Sequence, residues 1–410
     1  MKLQKTVIVF SLGICFCLVN SATGFSEETR SEKANTIIQA FKEGTVKGTI
    51  GNYYESTDAE ASDSSFSWST TYLTVKYETL PWQSIKIGGR FFVHGETHSD
   101  HDNNTTDPFD TDVEEAITLP ELYLNYGFGQ DSSLTAGRWA HGKVSHIDDC
   151  QSEGAYVRIK EIDNLELIVG FMTRFAEIDY DDGEDFGRIN ASQDLGTEGT
   201  YGSGSKDYLL FTEAKWQALD ILKLNPYIMS QDDYAGVYGL DVNVKTEAED
   251  MGLTYGGRIN YYHVNAQIAD RDDADNFAIV PFVKKGGVRF DLGYAHFNDG
   301  TNGNALNKPA WLRDYLLLVD QLRTYGNAGS DVIFGKVKYT LDKFWTHVVI
   351  QDTAYNTTAA RGDGSQEYEL QFGYNFTKNL DLNIRLFDVD FDSVDNQDYH
   401  KIETRLRFKF

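Results

Sequence analysis

The chain has 410 residues, and 63 Asp and Glu against 37 Lys and Arg give it a formal charge of −26. Such acidity excludes a protein that binds nucleic acid by neutralising phosphates, while 41% hydrophobic and 13% aromatic residues are too many for a disordered polyelectrolyte. The length admits two or three ordinary domains or one large all-β barrel, so the pattern along the chain has to decide.

Residues 1–24 open with Lys2 and Lys5, run through an apolar stretch over 6–19 and end in Ser21, Ala22, Thr23 and Gly24. A basic start, an apolar run too short to span a bilayer comfortably and small residues at its end predict a secretory signal peptide, cut between 21 and 25. Cys15 and Cys17 lack the Leu-x-Gly/Ala-Cys order of a lipoprotein signal and leave with the peptide. Cys150 then remains as the one cysteine of the mature chain, which excludes an internal disulfide framework. Residues 25–43 read as a short periplasmic segment with a helix over 33–42, and residues 44–410 as the barrel domain.

From there a period of two runs to the end of the chain. Leu165, Leu167, Val169, Phe171, Thr173 and Phe175 oppose Glu166, Gly170 and Arg174; Tyr368, Leu370, Phe372, Tyr374 and Phe376 oppose Glu369, Gln371, Gly373 and Asn375. In the last segment Ile402, Thr404, Leu406, Phe408 and Phe410 share one face and Lys401, Glu403, Arg405, Arg407 and Lys409 the other. Long, aromatic-rich alternation suits a sheet with lipid on one side and water on the other. In chain order it predicts strands over 44–56, 67–80, 83–97, 115–127, 132–140, 153–161, 164–175, 207–217, 222–232, 235–245, 251–265, 276–284, 287–297, 331–340, 344–353, 366–376, 380–390 and 398–410.

The connections between these strands alternate short and long. Short ones fall at 81–82, 128–131, 162–163, 218–221, 246–250, 285–286, 341–343 and 377–379; long ones at 57–66, 98–114, 141–152, 176–206, 266–275, 298–330, 354–365 and 391–397, with 233–234 the brief exception. Sorting by parity with an even strand number predicts an all-β fold. It is a single transmembrane antiparallel β-barrel of about 18 strands, with short periplasmic turns and long extracellular loops. A soluble sandwich has no reason to sort its connections this way.

The terminal Phe410, closing the alternation from Ile402 to Phe408, resembles the assembly signal of bacterial outer-membrane proteins. Leu119-Pro-Glu-Leu-Tyr-Leu-Asn-Tyr126, Leu134-Thr-Ala-Gly-Arg-Trp139 and Glu153-Gly-Ala-Tyr-Val157 resemble segments of the OprD-like, eighteen-strand substrate-specific porins of the Opr type. The resemblance is diffuse and covers nearly all of the mature chain. It implies an integral protein of the bacterial outer membrane, without enzymatic activity, in contact with lipid and lipopolysaccharide. It further implies passage of small hydrophilic solutes, recognition of Phe410 by the barrel-assembly machinery and a homotrimer. It also implies a basic ladder in the bore and inward-folded third and seventh loops, here 141–152 and 298–330.

Alternation places Lys47, Lys76, Lys86, Arg90, Arg158, Lys160, Arg174, Lys215, Arg258, Arg289, Lys336, Lys338, Arg385, Lys401, Arg405 and Arg407 towards the lumen. Fewer acids face it: Glu78, Glu121, Glu166, Glu213, Asp241, Asp291, Glu369, Asp381 and Glu403. The loops therefore hold most of the acid and the wall is basic. Planar guanidinium groups spaced along a wall can hand a carboxylate from one to the next, which makes Arg90, Arg158, Arg174, Arg258, Arg289 and Arg385 the ladder candidates. Arg405 and Arg407 lie nearer the periplasmic mouth. The plain alternative is that Arg and Glu form salt bridges that stiffen the wall.

Residues 308–325 read as a helix in the longest loop, with Leu312, Tyr315, Leu316, Val319 and Leu322 on one face and Arg313 and Arg323 available to a constriction. The acidic runs 179–185 and 270–275 offer oxygen ligands to calcium or to cations that bridge lipopolysaccharide, without the spacing of a calcium hand. His98, His101, His141, His146, Asp148, Asp149 and Cys150 lack zinc-like spacing and read as loop residues. No cofactor, resident metal or catalytic motif is expected. Two rivals stay open at this point: a barrel-borne hydrolase, in which His94 and His347 would be participants, and an adhesin or receptor acting through the acidic loops.

Overall fold

The structure, a computed structural model, describes residues 33–59, 64–100, 116–129, 131–140, 146, 151–176, 187–188, 208–231, 235–266, 273–298, 329–355, 364–391 and 398–410. The signal peptide, the 308–325 helix, the acidic run 179–185 and most of the seventh loop lie outside these residues.

Nineteen strands follow one another in chain order. They are β1 (Thr45–Ala59), β2 (Ser64–Glu78), β3 (Ile85–Asp100), β4 (Ala116–Phe128), β5 (Ser132–Trp139), β6 (Gln151–Ile162), β7 (Leu165–Ala176), the two-residue β8 (Gly187–Arg188) and β9 (Leu209–Leu219). Then come β10 (Leu222–Gln231), β11 (Ala235–Ala248), β12 (Leu253–Ala266), β13 (Ala274–Lys285), β14 (Val288–Phe297), β15 (Ser330–Leu341), β16 (Phe344–Tyr355), β17 (Gly364–Asn375), β18 (Leu380–Phe391) and β19 (Tyr399–Lys409). Each long strand pairs antiparallel with the next, β7 pairs directly with β9, and β8 adds two residues at the outer end of β7. All eighteen long strands fall where alternation predicts them. β8 lies in a stretch read as loop, and two residues carry no period to read.

Pairing of β1 with β19 closes the sheet, so no strand edge is left to hydrocarbon. The closure includes the terminal residue: Gly48 N–H donates to the Phe410 carbonyl at 2.9 Å and Phe410 N–H to the Gly48 carbonyl at 3.0 Å. Glycine is required there because a Cβ at position 48 would occupy the space of the Phe410 ring. Below the barrel a short helix, α1 (Ile37–Lys42), is capped by Thr36, whose hydroxyl accepts from the Gln39 N–H. It docks on the β2–β3 turn through Leu80 N–H to the Ala40 carbonyl at 3.0 Å and the Tyr77 hydroxyl to the Phe41 carbonyl.

The two faces differ as their solvents require. Leu292 is 49% exposed on the outside while its neighbour Asp291 is 3% exposed inside, and Val348, Ile350, Leu370, Leu406 and Phe408 stand out beside inward His347, Glu369, Arg385 and Arg405. An apolar surface of this extent around a whole sheet belongs to lipid. No helix among the described residues is long and apolar enough to cross a membrane; the chain crosses with strands. On the inside, Met172, Leu209, Phe211, Met229, Val237, Phe297 and Val332 are each almost wholly buried in the half of β7–β15 that lies towards the long loops, and Ile168 is buried nearer the short turns.

Candidate functional site

The inner wall is a set of charged side chains projected by every second residue of each strand. On β2–β4, Glu121 is 2% exposed and receives Lys76 Nζ at 2.9 Å and Arg90 Nε at 2.9 Å. The Tyr123 hydroxyl donates to Glu78 beside it. On β6–β9, Glu166 is shared by Arg158 at 3.3 Å, Lys160 at 3.1 Å and Lys215 at 3.8 Å, and Lys215 also reaches Glu213 at 3.0 Å.

A longer network runs round β1 and β16–β19. His347 Nε2 meets Glu369 at 2.9 Å; Arg385 lies 3.5 Å from Glu369 and 3.2 Å from Glu403. Lys401 joins Glu403 at 3.0 Å to Glu55 at 2.8 Å, and Glu55 accepts from the Tyr53 hydroxyl at 2.6 Å. Nearer the periplasmic mouth Asp381 holds both Arg407 at 2.8 Å and Lys409 at 2.9 Å. Arg289 grips Asp291 through Nε at 2.9 Å and the terminal nitrogen at 2.5 Å.

One group in the bore is supplied by a loop. His146, from the connection between β5 and β6, is fully buried against the wall of β9–β11. Its Nδ1 lies 2.8 Å from Glu213 Oε2, its Nε2 lies 3.2 Å from Asp241 Oδ2, and its ring stacks on Tyr227 with centroids 3.6 Å apart. Asp241 is further fixed by the Asn260 amide. Burial pulls the His146 pKa down, but the hydrogen bonds and charges of Asp241 and Glu213 outweigh it and hold the ring above its ordinary value. Protonated, it donates from both nitrogens.

Of the ladder arginines, Arg90, Arg158, Arg289, Arg385 and Arg407 each meet a carboxylate of the wall. Arg258 projects inward from β12 two residues from Asn260, and Arg405 lines a crevice with Tyr53, Asn383, Arg385 and Glu403. Arg174 stands apart. It is two residues from the outer end of β7, opposite Glu153 and Arg188 in register and beside a bulge between Glu153 and Gly154. That places it at the extracellular rim, away from the mid-bore carboxylates. His98 faces Ser67 at 3.4 Å near the end of β3; His101, His141, Asp148, Asp149 and Cys150 lie outside the described residues. Glu55 and Lys284 also point inward, and Lys409 shares the face of Arg407 and reaches Asp381 with it. For His146 no periodic signal exists, because a loop residue reports nothing about the wall it will meet.

A closed barrel with an apolar exterior, a charged inner wall and short turns at one end has the architecture of an integral outer-membrane β-barrel. No family model matches the sequence, and none of the curated proteins matches it either. Solved structures do match in fold. Pseudomonas aeruginosa OpdO is 14% identical, with 91% of this chain and 98% of that one covered at a TM-score of 0.74. Acinetobacter baumannii OccAB4 is 16% identical, covering 90% and 98% at 0.74, and Pseudomonas aeruginosa OccK9 (OpdG) 15% identical, covering 90% and 99% at 0.74. The fold is that of the OprD-like porins, as the resemblance of the strand segments implied.

Proposed function

We propose that the chain is a diffusion channel for small hydrophilic solutes with a modest preference for anions, carboxylates among them. The observation that supports this reading is the excess of inward bases over inward acids. Glu121 serves two bases, Glu166 three and Asp381 two. Lys215, Arg385 and Lys401 each reach two carboxylates in turn, so the excess of cation rests on the larger number of inward bases than inward acids along the strands. Such pairing also rigidifies the guanidinium groups and fixes where an anion would meet them. The acidic loops outside oppose entry of anions at low salt, and that opposition fades as the Debye length shrinks.

Solute flux into liposomes carrying the purified protein tests the reading. A carboxylate solute is expected to enter faster than a neutral sugar of similar size at high ionic strength. Equal rates would leave a channel without the preference, and no flux of either would remove the channel.

A further inference from the structure

In most of the bore, bases alternate with carboxylates; near the β13–β14 turn they do not. Lys284 on β13, Arg289 on β14 and Lys338 on β15 stand directly opposite one another in register. Like charges so placed repel. In the next row inward Lys336 faces Asp291, but Asp291 is already held by Arg289, whose guanidinium also lies 4.2 Å over the Phe282 ring. Among the described residues neither Lys284 nor Lys338 is in an ion pair; Lys338 lies 5.7 Å over the Trp345 ring instead. The four bases line a cavity of about 530 Å³ together with Asp291, Thr340 and the turn glycines Gly286 and Gly287. Lys285 pairs with Val288 across that turn, and Gly286 takes φ 56°, so a two-residue hairpin without side chains leaves the cavity open to the periplasmic mouth.

We infer that this cavity binds solutes carrying a dianionic group, as phosphate does, on their way through the periplasmic mouth. The inference rests on the anion preference proposed above and assigns it a place and a charge. Among the described residues Lys284, Arg289 and Lys338 meet one carboxylate, Asp291, and leave a charge that a single carboxylate would not balance. The cavity volume is within the range of about 300–1,000 Å³ usual for small-ligand sites. Arg289 is already oriented by Asp291 and Phe282, while the two lysines act as mobile point charges that close on oxygen atoms from either side.

The test is single-channel recording of chloride current in planar bilayers, with inorganic phosphate added on the periplasmic side at a pH where it is a dianion. Phosphate is expected to reduce or interrupt the current in a saturable way, and acetate at equal ionic strength to do neither. In the Lys284→Gln/Lys338→Gln double variant the half-saturating phosphate concentration should rise at least about tenfold, the loss of two charge-assisted contacts. Lys284→Arg/Lys338→Arg should keep the wild-type response, which shows that charge and not side-chain length is read. A wild-type current indifferent to phosphate, or equal responses in the glutamine and wild-type channels, overturns the site. An anion-selective channel indifferent to phosphate loses the site alone, whereas cation selectivity at high salt removes the wider reading with it.

Discussion

His146 Nδ1 lies 2.8 Å from Glu213 Oε2, although the two are 67 positions apart and Glu213 stands on β9 while His146 follows β5. With Asp241 on the other ring nitrogen, the contact fixes one point of the β5–β6 connection to the far wall of the bore.

That contact depends on pH with a definite sign. A histidine whose folded pKa is raised contributes its full stabilisation below its unfolded value, near 6.5, and loses it as the pH rises through the higher folded value. Lys215 also meets Glu213, and the Asn260 amide also meets Asp241. Single-channel conductance of the wild type is therefore expected to change on the alkaline side of 6.5, while that of His146→Asn stays flat there. Identical pH profiles would contradict the assignment.

Arg385 stands between two buried carboxylates, Glu369 at 1% and Glu403 at 3% side-chain exposure. Removing one partner of a buried pair leaves charge uncompensated and costs roughly 3–5 kcal/mol. Arg385→Ala is expected at about 3 kcal/mol, the low end of that range, because His347 still serves Glu369 and Lys401 still serves Glu403. Urea unfolding of the barrel in lipid measures it, and a loss too small to detect would show that the network is slack.

Leu292 faces outward near the middle of β14. An arginine facing lipid at mid-membrane depth costs about 2–4 kcal/mol. Leu292→Arg should therefore lower unfolding free energy by that amount in lipid, with little change in ion selectivity. A shift in selectivity without destabilisation would mean that the side chain faces the bore.

Gly293 on the inner face leaves room for the ring of Phe334, which is 2% exposed and occupies the space a Cβ would take. Gly293→Val forces that ring aside and should cost about 1–3 kcal/mol by overpacking. Restoration of stability in Gly293→Val/Phe334→Ala would tie the loss to this contact, and its absence would separate them.

The strands were legible because lipid imposes the same requirement on every one of them. An outward residue at each second position must be apolar, so the period appears in all eighteen long strands, as in Leu165–Ala176 and Tyr399–Lys409. Parity told which side Arg90 or Arg385 faces, but not its partner. Glu121 is 45 residues from Lys76 and reaches it only once β3 lies between them. Arg174 shows where parity stops: the bulge at Glu153 shifts the pairing by one residue, and nothing in a single strand marks that. His146 was illegible for a deeper reason. Its environment is made of Glu213, Tyr227 and Asp241 on three other strands, and each of these reads simply as an inward residue until the barrel closes.

The zero-current potential across a planar bilayer under a potassium chloride gradient at high salt bears most directly on the basic bore. At that ionic strength the acidic loops are screened and the wall decides. A potential on the chloride side of zero is the expected result, reduced in Arg90→Gln and Arg385→Gln; a potential set by potassium would contradict it.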